Sequence, residues 1–300
     1  MKKMYGVITA MVTPFGSDGN VDESILRAYT RYLVDAGVHC LYPCGTTGEM
    51  LKMSLEERKR VAEIVLDEAK DSEVAVFIHV GAMTTKDTIE LARHAEAIGA
   101  DGIGVVTPQF FGVNDREMEE FYVQVASSVS SAFPIYLYGI PQAASNDIKP
   151  EVVNRIVKRA KNVVGLKYSY PDFLRVKDYL LCNNGNFDVV VGTDRLFLPA
   201  LAMGCVGTVS GVSNCGPKPF ITVYDEYRKG DLKAARIAQT QANELCEITR
   251  SGANMAIFKR VMAYNGLPFS HMRAPALDLT DAERQALEKE IDGYNKRWNS

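Results

Sequence analysis

Eight short runs of apolar, largely β-branched residues, separated by charged segments of helical period, predict an α/β protein: a (β/α)8 barrel, or TIM barrel, with a C-terminal helical annex. Two further observations support this class. Successive runs start roughly 20 to 36 residues apart, the length of a strand-plus-helix unit. The runs also lack strict alternation with polar residues, as expected of strands covered by helices on both faces. An open doubly wound sheet is the structural alternative. It usually has fewer strands and often an early G-x-G-x-x-G turn, and none follows the first run here.

The runs lie at 5–12, 38–42, 74–80, 102–106, 134–138, 163–168, 187–191 and 206–210. The first follows Met1-Lys2-Lys3 and faintly imitates a secretion signal. Thr9, Thr13, Pro14 and Asp18 break the imitation, so it reads as a buried strand. After the second run, Ser54-Leu55-Glu56-Glu57 forms a capping box, and Val61, Ile64, Val65 and Leu66 give the helix behind it an inward stripe. Segments 85–98 and 115–129 read as helices in the same way, as does 150–159, which begins with proline. The charge-free stretch within 196–217 carries Pro199, Gly204, Gly207 and Gly211. That is too broken for a membrane span, and it reads as helix, turn and buried strand. About ninety residues remain after the eighth run. Segments 218–228, 231–249, 253–264 and 280–298 have helical composition, and Thr280-Asp281-Ala282-Glu283 is a second capping box. The expected organisation is a barrel core over 1–215, with the last barrel helix and the C-terminal helices over 216–300 in the same structural unit.

The 34 basic and 37 acidic side chains leave a formal net charge of -3, which gives no electrostatic reason for a nucleic-acid or membrane partner. The cysteines at 40, 44, 182, 205, 215 and 246 include no C-x-x-C pair and mostly sit in apolar surroundings. They read as reduced, core-type residues of a cytoplasmic protein rather than a disulfide framework. His39, His79, His94 and His271 show no ligand spacing, so no metal is expected; only His79 stands at a strand end.

Active sites of barrels of this kind sit at the C-terminal ends of the strands, which makes polar residues ending the runs the candidates. Lys167 closes Val163-Val164-Gly165-Leu166. An ammonium there is costly unless paired or put to use, and a desolvated amine is a nucleophile that attacks ketones to form a Schiff base. The alternative is a stem whose head escapes to solvent or meets a carboxylate. Tyr138 closes Ile135-Tyr136-Leu137, where a phenol can relay a proton or simply pack as a core aromatic. Gly45-Thr46-Thr47-Gly48-Glu49 follows the second run, and its flexible backbone and two hydroxyls suit a carboxylate or phosphate, or only a tight turn. Asp194 and Arg195 follow the seventh run and Ser210, Gly211 and Asn214 the eighth. They can contact substrate or cap helices, and a helix N-cap is the plain reading for Asp194.

With Gly45-Thr46-Thr47-Gly48-Glu49, Tyr138-Gly139-Ile140-Pro141 and Gly165-Leu166-Lys167 in this order, the chain resembles the dihydrodipicolinate synthase/N-acetylneuraminate lyase superfamily over nearly its whole length. The resemblance implies a barrel with a helical annex, a homotetramer, and class I aldol chemistry through pyruvate without a cofactor. It implies Lys167 as the Schiff-base residue and Tyr138 as the acid/base and proton relay. Thr46 and Thr47 would bind the pyruvyl carboxylate, with Thr47 meeting the Tyr138 hydroxyl. Ser169, Asp194, Ser210 and Gly192, at or just after strand ends, are the further candidate substrate-binding positions.

Within the superfamily, synthases usually carry an arginine five residues after the tyrosine, where Ala143 stands, and borrow a tyrosine from a neighbouring subunit, near Phe110-Phe111 here. Segment 138–145 and Lys167-Tyr168-Ser169 are more similar to N-acetylneuraminate lyases. Asp194-Arg195 replaces the Asp-Glu pair of many of those lyases, and Gly211 replaces a serine. N-acetylneuraminate lyase is therefore the first expectation, a 2-keto-3-deoxy sugar-acid aldolase the second, and a non-catalytic keto-acid-binding barrel the reading from another class.

Overall fold

The computed structural model describes residues 2–298. Eight parallel strands close into a barrel in chain order: β1 (Gly6–Ala10), β2 (Cys40–Tyr42), β3 (Ala75–His79), β4 (Gly102–Val106), β5 (Ile135–Gly139), β6 (Val163–Tyr168), β7 (Asp188–Val191) and β8 (Gly207–Ser210), with β8 paired back to β1. Each expected run holds one strand. The run at 5–12 overshoots β1 because Val12 gives its N–H to the Asn214 side chain (3.2 Å) instead of a neighbouring strand.

The helices between the strands are α1 (Glu23–Asp35), α2 (Leu55–Ala69), α3 (Thr85–Ala97), α4 (Asp115–Ser127), α5 (Pro141–Ala144), α6 (Pro150–Arg159), α7 (Phe173–Leu180) and α8 (Phe197–Met203). The capping box at Ser54 and Glu57 is formed in both directions and fixes the start of α2. Asn114 and Glu117 form a further box at α4. The four-residue α5 has no periodic signal in the sequence, since one turn is too short to show one. After β8, α9 (Lys218–Lys229) packs on β1, and α10 (Leu232–Ile248), α11 (Met255–Tyr264) and α12 (Asp281–Trp298) form the annex, with α10 against α9 and α12. Among the described residues no helix is long and apolar enough to cross a membrane. All six cysteines are buried and free.

The larger core lies between strands and helices, and a smaller one fills the barrel with Ile8, Tyr42, Phe77, Tyr136, Val190 and Val209 among others. Large inward side chains require small ones opposite. Tyr42 crosses the lumen to β4, where a Cβ on Gly104 would overlap its hydroxyl, and that hydroxyl has no hydrogen-bond partner. Gly104→Ala should therefore destabilise the fold by about 2 kcal/mol through overpacking. Tyr42→Phe in the same chain removes the offending oxygen and should recover part of that loss, as read from urea unfolding midpoints. Equal losses with and without the Tyr42 hydroxyl would refute this contact.

Candidate active site

The site is built at the C-terminal mouth of the barrel by strand register. The β5–β6 ladder sets Tyr138 directly beside Lys167, and the β6–β7 ladder continues it to Val190. Both side chains point inward and both are almost fully buried. The Lys167 Nζ lies 3.9 Å from the Tyr138 ring centroid and 5.0 Å from that of Tyr42. Among the described residues it forms no ion pair with a carboxylate.

Burial pushes the Tyr138 phenol up. The Lys167 charge and hydrogen bonds with Thr46, Ser169 and Lys167 outweigh that burial and leave it below the ordinary value of 10.0. The Thr46 Oγ1 stands 3.4 Å from the Tyr138 hydroxyl. Thr47 was expected in that place and does not occupy it. The loop leaves β2 through a left-handed Cys44 and enters its next turn through a left-handed Glu49, which directs Thr46 to the phenol and Thr47 towards β8. There a Cβ on Gly211 would come within 3.1 Å of the Thr47 Oγ1, so the glycine standing in place of a serine makes room for this threonine. The N–H groups of Thr46 and Thr47 donate to no acceptor among the described residues, while those of Glu49 and Met50 close the turn onto Thr46 and Gly45. Two free N–H groups beside two hydroxyls, one of them at the Tyr138 hydroxyl, are the kind of donor set that suits an anion.

Ser169 is buried behind the phenol, and its N–H is tied to the Gly139 carbonyl (2.9 Å). A Cβ on Gly192 would overlap the Ser169 hydroxyl, so only glycine at the end of β7 admits this serine. Asp194 does not cap a helix. The turn that follows β7 has Thr193 in the capping place and no side-chain cap, and the Asp194 carboxyl turns inward to the hydroxyls of Thr208 (3.3 Å) and Ser210 and the Val212 N–H. The residue keeps a partly exposed edge, but its carboxyl is enclosed. Burial raises its pKa from 3.8 to about 6 against the opposing pull of those hydrogen bonds and of Lys167. Ser210 is fully buried, and its hydroxyl also receives the Ser213 N–H (2.9 Å), so it supports Asp194 and the turn after β8 from behind. Asn214 ties that turn to β1 through the Ala10 carbonyl (2.7 Å), and Arg195 faces outward.

Three residues support the site: His79, placed at a strand end by the sequence but given no role there, and Arg58 and Lys259, which the sequence reading missed. His79 gives its Nδ1 proton to the Cys44 carbonyl (3.0 Å) and stands edge-on to the Tyr138 ring. Burial, then Arg58 and Lys167, hold it well below the ordinary histidine range, so it is neutral. Arg58 is buried and clamps the carbonyls of His79 (2.8 Å) and Gly81 (2.9 Å) at the end of β3. Its signal was a charge three residues before Val61, on the apolar stripe of α2. Lys259 of α11, also buried, meets Glu49 at 2.9 Å and donates to the His271 carbonyl (2.8 Å), so the annex holds the threonine loop in place. Phe110 and Phe111 sit exposed on the loop after β4, and Phe110 adopts a left-handed backbone. No group of three His, Cys, Asp or Glu side chains among the described residues is arranged to hold a metal ion.

The family model of the dihydrodipicolinate synthetase family matches residues 3–293. The chain belongs to this family. Among curated members it is 33% identical over 288 residues to an uncharacterized DapA-like lyase of Halobacterium salinarum, covering 96% of this chain and 93% of that one. It is 32% identical over 290 residues to the 4-hydroxy-tetrahydrodipicolinate synthase of Syntrophus aciditrophicus, covering 96% and 98%. Among solved structures, the Escherichia coli K12 prophage protein YagE, determined in complex with pyruvate, superposes with a TM-score of 0.91 at 27% identity, covering 97% and 98%. Proteus mirabilis N-acetylneuraminate lyase superposes at 0.89 and 26% identity, covering 98% and 99%. The family is one of lyases acting on small keto acids, and both named branches are close to this chain in fold.

Asp194 gives this family member a defined pH signature. The native carboxyl holds its proton more tightly than the unfolded one, so the stability it brings is fully present below pH 3.8 and is lost as pH rises through about 6. The displacement corresponds to about 3 kcal/mol. Asp194→Asn lacks this loss. Its unfolding free energy relative to the parent should rise by up to that amount between pH 4 and pH 7 in urea titrations, and a difference that stays constant with pH would refute the assignment.

Proposed function

We propose that this protein is a class I, Schiff-base carbon–carbon lyase that handles pyruvate, and that its substrate is N-acetylneuraminate, cleaved to N-acetylmannosamine and pyruvate. The observation that carries the reading is an amine with no carboxylate partner, 3.9 Å above the ring of a phenol whose pKa its charge lowers. Binding alone gives no reason to bury such an amine beside a proton-exchanging group.

The chemistry follows from that pair. The Lys167 amine attacks the C2 carbonyl of the keto acid, and water leaves to give an iminium. The carboxylate rests on the N–H groups and hydroxyls of Thr46 and Thr47. The Tyr138 phenolate takes the proton of the C4 hydroxyl, and the C3–C4 electron pair moves into the iminium as the aldehyde departs. Protonation of the resulting enamine at C3 and attack of water at C2 release pyruvate and restore the amine. For the sugar portion, the supports are the inward Asp194 carboxyl and the Thr193 hydroxyl, a buried group with no partner at the end of β7. Ser169 acts through the phenol. Ala143, in place of an arginine, favours a neutral aldehyde over a dicarboxylic product. A homotetramer and a cytoplasmic setting belong to the same reading, the second supported by six free buried cysteines.

The test is incubation with pyruvate and borohydride followed by peptide mass analysis, with N-acetylneuraminate turnover scored by pyruvate release. A pyruvyl-sized adduct on the Lys167 peptide is expected, and its absence or its presence on another lysine would overturn the assignment. Tyr138→Phe should lower kcat by about 10²–10⁴-fold while the adduct still forms, more slowly. Near-normal turnover in that variant would move the proton transfer to another group.

A further inference from the structure

A cleft of about 210 Å³ opens beside the phenol, lined by Thr46, Met50, Val106, Gln109, Ile140 and Ala144 among others. It is continuous with the reacting centre. Met50, Val106, Ala144 and the Tyr138 ring form one packed cluster with Ile140 against it, and Thr46, whose hydroxyl meets that of Tyr138, stands at the inner end. Its walls are mainly aliphatic. The ammonium of Lys52 at the rim is held by Glu49 at 2.7 Å, and the other oxygen of Glu49 is held by Lys259, so the cleft offers no free charge to a ligand. One polar atom on the lining is left over: the Gln109 Nε2 is buried and has no hydrogen-bond partner. An unsatisfied buried donor costs free energy that a ligand acceptor would recover.

We propose that this cleft is a subsite for an acylamino group carried on the carbon next to the aldehyde carbon. The inference rests on the Schiff-base reading of Lys167 and Tyr138, because that reading places the aldehyde oxygen at the phenol. The substituent one bond further along then lies at the mouth of the cleft. An acylamino group matches both features of the lining. Its alkyl end packs on Met50, Val106, Ile140 and Ala144, and its carbonyl accepts the Gln109 Nε2 proton. A hydroxyl in the same position leaves the aliphatic wall without a partner. A carboxylate finds no available cation.

The test uses Gln109→Leu, which keeps side-chain size and removes the donor. Condensation of pyruvate is measured with N-acetylmannosamine and with mannose, which carries a hydroxyl at that carbon, alongside borohydride trapping with pyruvate alone. The parent should prefer N-acetylmannosamine. The variant should lose about tenfold in kcat/KM for N-acetylmannosamine, with mannose and the trapping rate unchanged. A parent that traps pyruvate but shows no preference between the two sugars overturns the subsite and leaves the Schiff-base reading standing, as does a variant that loses both sugars equally or neither. Failure of the parent to trap pyruvate overturns the Schiff-base reading, and the subsite falls with it.

Discussion

The site depends on one cross-strand pairing. In the β5–β6 ladder Tyr138 and Lys167 are direct neighbours, and inward-facing neighbours in a closed barrel have nowhere to turn but towards each other. The ammonium over the ring is attracted by its π face, and the same charge favours the phenolate. A slip of one residue in β6 would direct Lys167 outward among the helices and remove both effects.

The surroundings keep that pairing in place. Tyr42 lies under the amine and His79 beside the phenol, with His79 held by the Cys44 carbonyl and its own carbonyl held by Arg58. These buried polar groups are expensive when unpaired, which makes each of them sensitive to the position of the next. The annex contributes through Lys259, whose bond to Glu49 anchors the loop that carries Thr46 and Thr47. The C-terminal helices therefore support the threonine loop from outside the barrel mouth.

Much of this was legible in the sequence because strand ends announce themselves. Lys167 and Tyr138 each terminate an apolar run, and in a parallel barrel the end of a run is the mouth. The choice between Thr46 and Thr47 was not legible, because it turns on the left-handed backbone at Cys44 and Glu49, residues with no glycine-like signal. Asp194 followed the same pattern, since aspartate at the start of a turn suits a cap and only the three-dimensional neighbours Thr208 and Ser210 draw it inward. Lys259 stayed hidden because its partner lies about two hundred residues away in the chain. The cleft beside the phenol was the least legible, because it is assembled from the loops after β2, β4 and β5 and belongs to no single motif.

The account turns on the lysine charge setting the state of the phenol, and that interaction can be read directly. Tyrosine labelled at the ring carbon bearing the hydroxyl reports the titration of Tyr138 by NMR, assigned by its loss in Tyr138→Phe. In the parent, Tyr138 should titrate below 10.0. In Lys167→Met, where burial acts without the opposing cation, the same resonance should move to higher pH. A Tyr138 that titrates at or above 10.0 in the parent, or that is unmoved by Lys167→Met, would contradict the account.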